Sequence, residues 1–122
     1  LTIFTLIFTV IFSPTSFAGW TNLVGDVNGN TFYVDFERIR KHGGYVYFWY
    51  LVDSLKPFKG TLSSKSYQQG DCKLFRFKRL SLSYHKEPMG VGTGGSLTPP
   101  VNWNYPAPNT PSETILKKVC SR

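Results

Sequence analysis

Residues 45–55, reading Tyr-Val-Tyr-Phe-Trp-Tyr-Leu-Val-Asp-Ser-Leu, constrain the fold more than any other stretch. The first eight are all apolar or aromatic, and five of them carry rings. Rings and β-branched side chains suit a pleated surface, so the run reads as a strand. A buried helix would show a 3.6-residue stripe, which is absent, and Gly43-Gly44 breaks the chain just before it. In a strand, Tyr45, Tyr47, Trp49 and Leu51 share one face, and Val46, Phe48, Tyr50 and Val52 the other. Apolar residues on both faces predict a central strand with something packed on each side.

The flanking sequence supplies partners for that strand. Residues 20–25 read as a short first strand, and Asn28-Gly29 as a hairpin turn because both residues tolerate positive φ. Residues 31–36 return, with Phe32, Val34 and Phe36 on one face and Thr31, Tyr33 and Asp35 on the other. Residues 37–41 are charged and suit one helical turn. Lys56-Pro57 is expected to end the central strand. Residues 60–67, with several Ser and Thr, predict a more exposed strand, and 68–71 a turn or bulge.

Residues 72–84 read as the last long strand. Phe75 and Phe77 alternate with Arg76 and Lys78, then Leu80, Leu82 and Tyr84 fall on the opposite phase. That switch predicts a bulge near Lys78-Arg79. From 87 to 111 the composition turns to Gly, Pro, Thr and Asn, yet Trp103 and Tyr105 sit among the prolines. Such rings are costly to leave wet, so this loop is expected to lie back on the domain or to form a contact surface. Residues 112–120 read as a short helix begun by Pro111 or Ser112, with Glu113 near its positive end and Lys117 and Lys118 near its negative end. Ile115, Leu116, Val119 and Cys120 form one face, which must dock on the sheet because so short a helix is unstable alone.

Export is expected from the N-terminus. Residues 1–12 are uncharged and apolar, and Ser16 and Ala18 form a small-x-small cleavage pattern before Gly19. The run is shorter than the ~20 residues of a membrane span, so residues 1–18 read as a signal peptide, without its initiating Met and basic start. Residues 19–122 are then one exported domain. Its two cysteines, Cys72 and Cys120, are expected to pair, as is the default in an oxidising compartment. Two cysteines and two distant histidines are too few for a structural zinc site. A net charge of +7 falls wholly on the mature domain and suits an acidic partner. Export turns that preference away from nucleic acid and towards envelope polyanions or acidic protein patches.

Catalytic and cofactor motifs are weak. Gly90-x-Gly92-x-x-Gly95 matches a dinucleotide fingerprint in spacing only, because Leu97-Thr98-Pro99-Pro100 follows where a helix is required. No cofactor is expected. His42 and His85 both sit beside lysines in surroundings that read as solvated, and the carboxylates are scattered. Asp35 and Glu37 are the closest pair, with Arg38 and Arg40 as their natural partners. Lys73, Arg76, Lys78 and Arg79 form the densest basic cluster, with Arg76 and Lys78 on one face and Lys73 and Arg79 on the other. The bland reading is a charged edge strand protected against aggregation; the sharper one is a contact strip for an acidic partner.

Taken in order, these features resemble the surface-adhesin protein E family of Gram-negative envelope proteins. Trp20 opens the first strand, followed by Tyr33-Val34-Asp35 and Trp49-Tyr50-Leu51-Val52-Asp53. Ser64-x-x-Tyr67 then leads to Asp71-Cys72-Lys73, with Arg76 and Arg79, Met89-Gly90-x-Gly92, the Trp- and Pro-containing loop, and a terminal Val119-Cys120. The resemblance implies an α+β, mainly β fold. Its single antiparallel sheet of five to six strands carries a C-terminal helix held to one face by the disulfide. It also implies a non-enzymatic adhesin that binds matrix or serum proteins such as vitronectin, laminin and plasminogen, and that dimerises. Candidate contact residues are Tyr45, Tyr47, Trp49, Trp103 and Tyr105 with Lys73, Arg76, Lys78 and Arg79. The best-known member is a lipoprotein; with no cysteine near Ala18, a periplasmic, outer-envelope or released protein is expected here, without a stable membrane span.

Overall fold

The computed structural model describes residues 19–122, so the expected signal peptide, residues 1–18, lies outside the described residues. The predicted hairpin joins β1 (Trp20–Gly25) to β2 (Thr31–Asp35). In its turn, Asp26 Oδ1 accepts the Asn28 and Asn30 backbone N–H groups at 2.9 and 3.0 Å, and Oδ2 accepts the Asn30 side-chain amide. Led by the Asn30 bonds, these hold the Asp26 carboxyl below its ordinary range. Gly29 supplies the positive φ of +83° that the turn needs.

Residues 37–41 differ from expectation. A 3₁₀ turn covers Phe36–Arg38, and β3 (Arg40–His42) is a strand rather than helix. Gly43 and Gly44, both at positive φ, fold β3 back onto β4 (Tyr45–Phe58). Pairing made that strand, since nothing in Arg-Lys-His favours it locally. β4 is the centre of the sheet: β3 and β2 share one of its edges, and β5 (Thr61–Asp71) occupies the other. It runs through Lys56-Pro57 instead of stopping there. Between Asp53 and Phe58 the ladder with β5 lapses, so the missing proline N–H sacrifices no ladder bond.

β5 also differs from expectation. Residues 68–71 are strand, and Ser63, Ser66, Gln68 and Asp71 are buried. The neighbouring β6 begins only at Arg76 (Arg76–His85), because residues 72–75 form a turn. Asp71 Oδ1 accepts the N–H groups of Lys73 and Leu74, and Phe75 adopts a φ of +53°. The bulge lies next to the expected Lys78-Arg79. Tyr67 pairs with Ser81 and Gln68 with Arg79, leaving Leu80 as the extra residue. A two-residue β7 (Ser96–Leu97) completes a seven-stranded, fully antiparallel sheet in the order β1-β2-β4-β5-β6-β7, with β3 beside β4.

Helix α1 (Pro111–Cys120) begins at Thr110, whose Oγ1 accepts the Glu113 N–H. Ile115, Leu116 and Val119 are buried against Val34, Val46 and Phe48, and Tyr50 and Phe32 pack alongside. Gly70 makes this close approach possible: a Cβ there would lie 2.8 Å from Val46 Cγ1 and 3.0 Å from Leu116 Cδ1. Burial of each such side chain stabilises by about 1.5–3 kcal/mol. Cys72 and Cys120 are bonded, with Cα atoms 5.6 Å apart, and tie the helix end to the β5–β6 turn. One side of β4 is therefore closed by the helix. The other is closed only in part, and that difference defines the site.

Candidate functional site

Strand parity and cross-strand register assemble the face opposite the helix. Tyr45, Tyr47, Trp49 and Leu51 of β4 stand beside Gln69, Tyr67 and Lys65 of β5, and β6 adds Arg76, Lys78, Ser81, Ser83 and His85. The 87–111 loop lies back across this face, as its aromatic content predicts. At one end Ser63 Oγ donates to the Glu87 carbonyl (2.6 Å) and accepts the Gly90 N–H (2.8 Å), while Asp53 Oδ1 accepts the Met89 N–H (2.9 Å). Gly90, at φ +74°, sits on Leu51 and buries it. Tyr84 N–H then donates to the Gly95 carbonyl, and the Gly94 backbone presses so closely on Tyr84 that no Cβ fits.

At the other end the loop exchanges two backbone bonds with β6, between Phe77 and Asn104, at 2.8 and 2.9 Å. This bridge places Trp103 over the sheet. Its ring centroid is 5.7 Å from that of Tyr45, 4.1 Å from the Arg76 guanidinium carbon and 4.3 Å from Lys78 Nζ. A second row runs beside it: Tyr67 stacks on Tyr47 at 6.2 Å and meets Trp49 at a tilt, 4.8 Å between centroids. All of these rings are half-buried. Trp49 also lines two depressions, one of about 250 Å³ with Trp20, Asp35, Arg38 and Lys65, the other of about 330 Å³ with Ser81, Ser83 and Ser96.

The basic cluster does not act as a single strip. Arg76 and Lys78 join the aromatic face, Arg79 turns to the helix side over Phe77, and Lys73 is exposed in the 72–75 turn. Because Asp71 closes that turn, Lys73 and Arg79 do not share a strand face. Nor is β6 a bare edge, since β7 and the Asn104 bridge cover it in places. Arg76 Nε donates to the buried Asp71 Oδ2 at 2.9 Å. Burial alone would raise the Asp71 carboxyl, but the Arg76 bond and the Leu74 and Lys73 amides outweigh it and hold it below the ordinary range. The same bond, opposed by burial and helped by Tyr105, pushes the Arg76 guanidinium further up. Trp103 thus packs down, whereas Tyr105 remains 66 % exposed.

The histidines behave differently from one another. His42 is exposed, beside a cavity of about 410 Å³ at the disulfide end whose lining carries no carboxylate. His85 is half-buried rather than solvated. Its Nδ1–H donates to the Gly92 carbonyl (2.7 Å), which leaves Nε2 to accept from Ser83 Oγ (2.9 Å). A carbonyl therefore stands where a Ser-His-acid site needs a carboxylate. Asp35 is buried and meets Arg38 at 3.4 Å, as the 35–40 charge pattern anticipates. Among the described residues no three His, Cys, Asp or Glu converge as a metal site, and no helix is long and apolar enough to cross a membrane.

Sequence reasoning on the contacts themselves missed Tyr67 and Asp71. Both lay in the family pattern, but which ring stacks on which, and which carboxylate holds Arg76, depends on the β4–β5–β6 register. The family model for surface-adhesin protein E matches residues 20–121. Among solved structures, Haemophilus influenzae protein E is similar, with a TM-score of 0.66 at 20% identity, covering 85% of this chain and 85% of that one. Its crystal form II gives 0.64 at 20%, covering 85% and 88%. Protein E from non-typeable Haemophilus influenzae gives 0.64 at 20%, covering 85% and 76%. No curated protein matches the chain significantly.

Proposed function

The chain belongs to the surface-adhesin protein E family, and from that premise we propose that it is an exported, non-enzymatic domain that recognises an extracellular or envelope protein. The observation that carries the reading is the half-buried aromatic face. Two rows of rings, Tyr45–Trp103 and Tyr47–Tyr67–Trp49, are held rigid by a pinned loop and bordered by Arg76 and Lys78. Tyr, Trp and Arg are the side chains that dominate protein-binding hot spots, and rigid rings lose little conformational entropy on docking. Tyr105, exposed beside Arg76, extends the same surface, while Lys73 and Arg79 fall outside it. Family kinship points to matrix or serum proteins as partners, and to the periplasm, the outer envelope or the medium as the location.

Binding to immobilised vitronectin, laminin and plasminogen tests this. Tyr47→Ala and Lys78→Gln are expected to weaken binding by about tenfold or more without lowering the melting temperature by more than a few degrees. Unchanged binding in both folded variants refutes the assignment of the face. A second reading rests on the stacking of Arg76 and Lys78 on Trp103, which also suits an envelope polyanion. Raising the salt separates the two, because affinity for a polyanion falls steeply as charges are screened. Concentration-dependent association of the protein alone, lost in Tyr47→Ala, assigns the face to a homodimer instead.

A further inference from the structure

The end of the sheet remote from the disulfide is built from two neighbouring turns, 26–30 between β1 and β2 and 59–60 between β4 and β5. Its apolar side chains stand in water: Val27 is 100% exposed, Leu55 72% and Phe58 73%. They form one patch. Leu55 lies over the Gly29 backbone, where a Cβ would meet its Cδ2 at 3.0 Å, and all three border one shallow depression of about 650 Å³. Lys56 and Lys59, both exposed, alternate with them, and Lys59 Nζ lies 5.6 Å from the Phe58 ring centroid. The acid of these turns, Asp26, has both oxygens engaged by Asn28 and Asn30. β4 leaves its ladder with β2 at Asp53, and the segment beyond runs beside the 26–30 turn.

We propose that this tip docks on an anionic phospholipid surface. Val27, Leu55 and Phe58 enter the boundary between headgroups and acyl chains, and Lys56 and Lys59 meet lipid phosphates. Shape and charge favour this occupant. The apolar groups sit at exposed turns flanked by Lys56 and Lys59, an arrangement that suits a yielding, negatively charged interface rather than a rigid protein groove. Docking also orients the domain. β4 has 14 residues, so its tip and Tyr45 are roughly 40 Å apart at ~3.3 Å per residue, and the aromatic face near Tyr45 stays clear of the lipid. The tip shares no residue with that face, so the two assignments fail separately.

The test uses the full chain with bicelles of phosphatidylglycerol or of phosphatidylcholine that contain a spin-labelled lipid. Amide signals of residues 26–30, 55, 56 and 58–60 are expected to broaden on phosphatidylglycerol and not on phosphatidylcholine, while those of 45–49 stay sharp. All variants keep residues 1–18, so any affinity of that segment for lipid is common to every sample. Lys56→Gln with Lys59→Gln should weaken the tip-specific broadening by about fivefold per lysine. Val27→Ser, Leu55→Ser and Phe58→Ser together should abolish it. Sharp tip signals on phosphatidylglycerol, or equal broadening on phosphatidylcholine, overturn the proposal. Tip broadening that follows protein concentration without lipid assigns the patch to a second copy and overturns it equally.

Discussion

Replacing both Cys72 and Cys120 by alanine removes the one covalent tie between the helix and the sheet. The bond spans a sequence separation of 48 residues, and the chain-entropy relation then gives a loss of about 4 kcal/mol. Set against the roughly 5–15 kcal/mol of a typical domain, that loss is severe but leaves a fold standing. For a domain of this size it corresponds to a fall in melting temperature of about 15–30 °C. Helix α1 should nonetheless stay docked at low temperature. Ile115, Leu116 and Val119 remain buried, at about 1.5–3 kcal/mol each, and Thr110 still caps the first turn. The assay is thermal and urea unfolding followed by circular dichroism, on the oxidised protein and on the Cys72→Ala, Cys120→Ala variant. A single cooperative transition at lower temperature, with the helical signal intact before it, is the expected result. A melting shift below about 5 °C, or loss of helix while the sheet persists, refutes the reasoning that the bond acts mainly on the unfolded chain.

Gly94→Ala should detach the middle of the loop, because the added Cβ would lie 2.1 Å from the Tyr84 carbonyl oxygen; a lower melting temperature and a shifted tryptophan emission would report it. Thr110→Ala removes the side-chain cap and should cost about 1 kcal/mol, read from the urea midpoint. Asp71 has a depressed folded-state pKa, so its contribution is full above the ordinary 3.8 and disappears as pH falls through the lower folded-state value. Urea midpoints of the native protein and of Asp71→Asn, compared from pH 7 downward, should therefore differ at neutral pH and converge in acid.

The fold was legible where local rules act. Period-two alternation assigned the faces of β4 correctly, Asn28-Gly29 marked the first hairpin, and the phase switch predicted a bulge near Lys78-Arg79, next to Leu80 where it lies. The apolar side of the helix and the pairing of the two cysteines followed from spacing and count. Less legible were β3, the strand character of residues 68–71, and the turn that displaces Lys73 from β6. The first two depend on what a distant segment offers, whereas the turn rests on contacts within a few residues that strand alternation does not reveal. Arg40–His42 is strand because β4 has a free edge there, and residues 72–75 turn because Asp71 is held by Arg76.

The amino-acid sequence by itself determined which side chains of β4 share a face and where the first hairpin turns, because those properties belong to neighbouring residues and their backbone preferences. Only the tertiary structure decided that Tyr67 lies beside both Tyr47 and Trp49, that Trp103 covers Tyr45, and that Val27, Leu55 and Phe58 border one depression at the tip. Those neighbours are set by cross-strand register and by where the long loop is pinned. Register is chosen by the summed burial of the whole sheet against the helix, a quantity that no single stretch of the chain contains.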